Sequence, residues 1–209
     1  MYNDILYILG GVGVTLQYTV VSLLIGFSLG ILLGILKFLS KRPYLINFFI
    51  SVFRGTPLLL QLSFAYFVLP ELIGFNLSVF EAGILALGLN SAAYMIEIIW
   101  AGIKSIPKGQ FEAAKTLHIS SFLMWKDIIL PQVLNRMMPA LANEVITLLK
   151  ETALISVIGE VDIMRRAQYL AAEQFNYFKP LCIAGLSYYL LVQILTFIFN
   201  YIQKRWHYA

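Results

Sequence analysis

Charge is what this chain has least of. Only 12% of its 209 residues are Asp, Glu, Lys or Arg, against roughly a quarter in a soluble domain. With 60% hydrophobic residues and a mean hydropathy of +0.80, the composition excludes an ordinary water-soluble fold. Cysteine is nearly absent too: Cys182 stands alone inside an apolar run, so an intrachain disulfide is impossible. His118 and His207 are the only histidines and lie far apart in sequence, which gives no basis for a metal cluster. There is no G-x-x-x-x-G-K-[ST] loop to cradle phosphates, no H-E-x-x-H and no nucleophile elbow, so nothing here could hydrolyse ATP or carry other enzyme chemistry.

Long apolar runs take the place of these features, and they predict one all-α integral membrane domain spanning residues 1–209. From Asp4 to Lys37 no charge interrupts the chain, more than the ~20 apolar residues that a crossing helix needs. The N-terminus lacks a basic leader and a small-residue cleavage site, so this run is expected to be a retained first span. Gly26, Gly30 and Gly34 make one smooth helical face, read as a packing groove within the subunit rather than a contact between copies. A second run, 45–69, is interrupted at Arg54-Gly55-Thr56-Pro57. Thr56 is expected as N-cap with Pro57 in the first turn, after a short helix on the cytoplasmic side. Further spans are expected at 79–103, 133–149 and 181–203. The stretch 160–177 is too polar to cross and reads as external or re-entrant.

Five spans put the termini on opposite faces. With the N-terminus outside, the cytoplasm receives Lys37, Lys41, Arg42, Arg54, Lys104, Lys108, Lys115, Lys126, Arg136, Lys204 and Arg205. The outside keeps Lys150, Arg165, Arg166 and Lys179. This bias obeys the positive-inside rule, and the inverse orientation would reverse it.

Between the third and fourth spans lies a loop, 105–132, that must sit on the cytoplasmic face. Pro107 suits a helix start. Phe111, Ala114, Leu117 and Ser121 recur at helical spacing, with Glu112 and Lys115 on the other side and Pro131 closing the segment. Glu112-Ala113-Ala114 followed by Ile129-Leu130-Pro131 resembles the EAA loop of membrane subunits of bacterial ATP-binding cassette importers. FRGTPLLLQLSFAYFVLP (53–70), the segment 92–114 and NEVITLLKETALISVIG (143–159) are similar to the polar amino-acid group of that family (glutamine, histidine or arginine type). The resemblance covers about 45–201. One departure is His118, where the family usually has glycine; glycine enters φ > 0 freely and histidine less easily.

The resemblance implies a type I importer membrane domain whose EAA helix fits a cleft in a separate ATPase subunit. Glu112, Ala113, Ala114, Leu117 and His118 would form that coupling surface; the plain alternative is an interfacial helix lying on lipid. ATP and Mg2+ would be bound by the partner, with no cofactor in this chain. The implied partners are two ATPase subunits, an extracytoplasmic amino-acid-binding protein and a second permease subunit, identical or paralogous, in the bacterial inner membrane. Nucleic acid is not among them. The cargo implied is a polar amino acid, glutamine foremost.

Ionisable groups at membrane depth are costly and mark pathways or internal ties. Asn90, Tyr94 and Glu97 share one face of the third span, and Asn143, Glu144, Lys150 and Glu151 gather on the fourth. Glu97 suits a helix-to-helix bond and a substrate contact equally. Asn143 and Glu144 fit a structural network beside a cavity, Lys150 and Glu151 a pair at the outer boundary, and Asn90 with Tyr94 the lining of the substrate path, with packing the plainer reading of Tyr94. Arg54 suits a snorkelling or gate-anchoring role. Arg165 and Arg166 are either a docking rim or part of a solvated loop. Two other functions remain open on sequence alone: an ion-gradient-driven transporter or channel subunit using Glu97 and Glu144, and a membrane anchor that recruits a cytosolic partner.

Overall fold

A computed structural model describes residues 2–207; Met1, Tyr208 and Ala209 lie outside it, as do the side chains of Tyr2, Arg205, Trp206 and His207. In chain order the helices are α1 (Tyr2–Leu9), α2 (Val12–Leu39), α3 (Tyr44–Gly55), α4 (Leu58–Ser63), α5 (Leu69–Ile73), α6 (Val79–Lys104), α7 (Lys108–Thr116), α8 (Ser121–Leu123), α9 (Leu130–Glu151), α10 (Ile163–Glu173) and α11 (Phe178–His207). A π-helical turn, Phe64–Val68, joins α4 to α5, another, Met124–Ile129, joins α8 to α9, and a 3-10 turn, Thr152–Ile158, follows α9. Among the described residues, three helical runs are long and apolar enough to cross a membrane: Asn3–Leu39, Val79–Lys104 and Phe178–Lys204. The bent pair Tyr44–Gly55 and Leu58–Ile73, at 101°, makes a fourth if counted as one.

The central helix is α6. It starts at a capping box, in which the Ser78 hydroxyl accepts from the Glu81 N–H and the Glu81 carboxylate accepts from the Ser78 N–H at 2.8 Å. Its small residues let α2 lie almost in backbone contact. A Cβ added to Gly26 would fall 2.7 Å from Ser91 Oγ, one on Gly30 2.4 Å from Met95 Cβ, and one on Gly34 3.0 Å from Ile99 Cγ2. All three neighbours belong to α6, so the glycine stripe is the groove within the subunit that the spacing predicts.

Two expected breaks are drawn differently. Thr56 does not cap α4; its hydroxyl donates back to the Val52 carbonyl at 2.8 Å, and Pro57 takes the flanking position with ψ 134°. Pro131 does not close a helix, because the chain runs helically through it into α9. The π turn at Met124–Ile129 lies immediately before Leu130-Pro131, and the one at Phe64–Val68 immediately before Leu69-Pro70. A proline lacks the N–H for an i−4 bond and crowds that carbonyl, and the wider turn removes both conflicts.

The α7 helix ends where the sequence lacks glycine, yet the backbone still turns left-handed there. His118 has φ 56°, the His118 N–H reaches the Lys115 carbonyl and the Ile119 N–H reaches the Ala114 carbonyl, both at 3.0 Å. This is a Schellman end, with Ile119, like Phe111, packed against the core that holds Ala114. Phe175 does the same after α10, at φ 49°. His118→Gly is therefore expected to stabilise the subunit by about 1 kcal/mol. In a thermal scan of the detergent-solubilised protein that is a rise of roughly 2–4 °C; a fall would show that the imidazole makes a compensating contact.

Candidate functional site

Two features stand out for function: the exposed helix α7 and a charged knot where α2, the α3–α4 break and α6 meet. On α7, Lys108, Gln110, Glu112, Ala113, Lys115 and Thr116 face outward. Ala114 is 2% exposed and sits in a core with Ile103, Ile106, Met124 and Ile129. This corrects the placing of Ala114 on an outward coupling surface, since its methyl seats α7 on the rest of the chain. Leu117 departs the other way. Helical spacing groups it with Phe111 and Ala114, but α7 ends at Thr116 and the turn carries Leu117 out to 72% exposure. Edge-on contacts of Trp125 with Phe111 (5.9 Å between ring centres) and with Phe38 on α2 (6.1 Å) complete the seat.

In the charged knot, Glu97 on α6 receives two cations. The Lys37 ammonium donates to Glu97 Oε1, and the Arg54 guanidinium lies 3.7 Å from Glu97 Oε2. Aromatic faces hold both cations: Lys37 is 4.7 Å from the Trp100 ring centre and Arg54 4.9 Å from that of Tyr94. Lys37 is buried, and the Glu97 side chain is a quarter exposed. The sequence placed Lys37 at the membrane boundary as an orientation signal, and its pairing was missed. A signal was present: Lys37 continues the Gly26-Gly30-Gly34 face by one more step of three, and that face is the one against α6.

Asn90 is the clearest correction among the path candidates. It is buried, and its amide N–H groups donate to the Phe53 carbonyl at 3.0 Å and to Gln61 Oε1 at 3.1 Å. Gln61 also donates to the Phe53 and Thr56 carbonyls. The two amides thus satisfy the carbonyls left free where the helix breaks, which unbroken hydrocarbon would not tolerate. On α9, Glu144 accepts from the Ser91 hydroxyl at 2.8 Å and ties that helix to α6. Asn143 and Lys150 are exposed, Glu151 is half-buried, and no ion pair joins Lys150 to Glu151 among the described residues. Arg54, Tyr94 and Glu97 are therefore brought together, Glu144 is tied to Ser91 further along α6, and Asn90 belongs to the frame of the helix break.

The stretch 160–177 is a clasp rather than a loop. Asp162 is fully buried and caps α10, accepting from the Arg165 N–H at 2.8 Å and the Tyr188 hydroxyl at 2.9 Å. Burial pushes its carboxyl above the usual Asp range, opposed by these hydrogen bonds. Arg166 donates to the Tyr7 carbonyl at 3.0 Å and lies over the Tyr7 ring, so it serves α1 inside the subunit. Backbone closeness enforces the same join, because a Cβ on Gly11 would meet the Ile163 nitrogen at 2.4 Å.

Comparison with known proteins places this architecture. Residues 26–208 match the family model described as binding-protein-dependent transport system inner membrane component. A protein of Rickettsia typhi, provisionally named a glutamine transport system permease protein, is 50% identical over 207 residues, covering 98% of this chain and 94% of that one. The arginine transport system permease protein of Bacillus subtilis is 51% identical over 201 residues, covering 95% and 92%. A chain from the crystal structure of an amino acid ABC transporter with histidines superposes with a TM-score of 0.87 at 35% identity, covering 95% of this chain and 94% of the other. The chain belongs to the family of inner membrane components of binding-protein-dependent transport systems.

Proposed function

We propose that this chain is the membrane-spanning subunit of an ATP-driven importer that moves a polar amino acid, glutamine foremost, into the cytoplasm. Five crossings, with α9 as the fourth, leave the N-terminus outside and the C-terminus in the cytoplasm. ATP and Mg2+ act in separate ATPase subunits, an extracytoplasmic binding protein delivers the cargo, and a second permease subunit completes the pathway. The relatives named for glutamine and arginine transport support the cargo class.

The observation that carries the coupling is α7: a short helix between two long ones, exposed on one side and seated on the subunit's own core by Ala114 and Phe111 on the other. A helix so backed can transmit a push, because a close-packed core resists compression. Glu112 is exposed and free to meet a basic or N–H-rich cleft. Glu112→Lys is expected to leave the protein inserted and folded while lowering amino-acid uptake at least roughly tenfold, the effect of losing one charge-assisted bond and adding repulsion. The check is labelled glutamine uptake into proteoliposomes holding the full assembly, and wild-type uptake by the variant would overturn the coupling role.

Cargo passage is assigned to the open side of the knot. Glu97, Arg54 and Tyr94 would flank it at the knot, and Glu144, Asn143 and Lys150 would continue it along α9 toward the outer face. Charges of both signs along one path suit a zwitterion.

A further inference from the structure

A groove of ≈ 450 Å³ runs between α2 and α9 with α6 as its floor, and no polar side chain lines it. Its walls include Phe27, Ile31 and Leu39 on one side and Trp125 and Leu141 on the other, with Ile99 below. From Phe27 to Leu39 is about 18 Å along a helix, slightly more than half of a ~30 Å hydrocarbon core. A protein helix of that length, about 10 Å across, displaces on the order of 1,400 Å³ and would rest on the rim. A single hydrocarbon chain fits inside.

The chemistry changes at one end. Lys41 and Arg42, both exposed, follow Leu39 directly after Ser40. A second hollow, lined by Phe122 and Lys126, shares Trp125 and Leu130 with the groove. Three exposed cations thus lie in the segments that adjoin the groove, Lys41 and Arg42 just past Leu39 and Lys126 beside Trp125 and Leu130, with Asp127 next to Lys126. Trp125 lines both hollows, and an indole prefers the headgroup boundary.

We propose that this groove binds an anionic phospholipid of the cytoplasmic leaflet, with one acyl chain along α2 and its phosphate held by Lys41, Arg42 and Lys126. Trp125 would then be shared between the lipid and α7, through its contact with Phe111. Occupancy of the groove would set how firmly α7 is backed. The proposal rests on the membrane orientation given above, but its readout needs no transport, so the importer assignment can fail without it.

The test is mass spectrometry of the intact full-length chain released from micelles, titrated with phosphatidylglycerol or phosphatidylcholine. One phosphatidylglycerol should be held per chain in preference to phosphatidylcholine. The triple variant Lys41→Gln, Arg42→Gln, Lys126→Gln should weaken that binding about a hundredfold, at about one decade or less per cation. Ile31→Trp, which fills the groove, should weaken both lipids. Equal retention of the two lipids, or undiminished phosphatidylglycerol binding in the triple variant, would overturn the proposal. So would a disulfide between two Ile31→Cys chains in a Cys182→Ser background, since that would seat a second copy on the groove.

Discussion

Gly30→Leu is expected to abolish the folded subunit. Even one Cβ at this position would lie 2.4 Å from Met95 Cβ and 3.3 Å from the Met95 backbone, and no rotamer of a leucine relieves a clash that begins at its first carbon. Overpacking a well-filled core costs about 1–3 kcal/mol, and more when backbone must move. Here α2 would have to lift from α6 along its length, also losing the Gly26 and Gly34 contacts. Little stability remains to absorb that, since ordinary domains are worth only about 5–15 kcal/mol in all. Monodisperse protein recovered by size exclusion after mild solubilisation is the measurement. Gly185→Leu is the control, because nothing lies within 4 Å of a Cβ placed there. Similar recovery of the two variants would mean that α2 is not seated as described.

The second large effect is expected at the charged knot. Lys37→Met removes the closer of two cations from Glu97 and leaves a carboxylate at membrane depth with only Arg54, 3.7 Å away and itself 40% exposed. Breaking a fully buried pair from one side costs about 3–5 kcal/mol. Glu97 is 27% exposed and keeps one partner, so a loss of roughly 2–3 kcal/mol is expected. The double variant Lys37→Met, Glu97→Met should recover most of it, because well-packed apolar residues replace ion pairs at little cost. Thermal midpoints of the four proteins in one detergent give the coupling. Additive losses in the double variant would show that Lys37 and Glu97 do not depend on each other.

These two regions differ in how far the sequence exposes them. The glycine stripe was legible because its three members share one helix, and four-residue spacing alone puts them on one face. The capping box at Ser78-x-x-Glu81 was equally readable and went unread. The knot was harder. Lys37, Arg54 and Glu97 come from three segments, up to 60 positions apart, so their meeting depends on how α2 and the α3–α4 break dock on α6. Asn90 shows the same limit: periodicity put it on a polar face, but a break in a neighbouring helix decided that its amide would serve carbonyls there. At Pro131 a sound local rule gave a stop, and a π turn let the helix pass instead.

By itself the sequence determined a helical membrane protein, the order of its apolar runs, the face on which α2 packs and the existence of a solvent-facing helix between long ones. Those follow from composition and from periods of three to four residues, which the chain carries wherever it folds. Only the tertiary structure decided which polar groups are spent inside the subunit, which side of α7 is outward and where a greasy groove meets three cations. Hydrogen bonds and ion pairs are made over about 3–4 Å, and no local pattern states which distant residues will come that close.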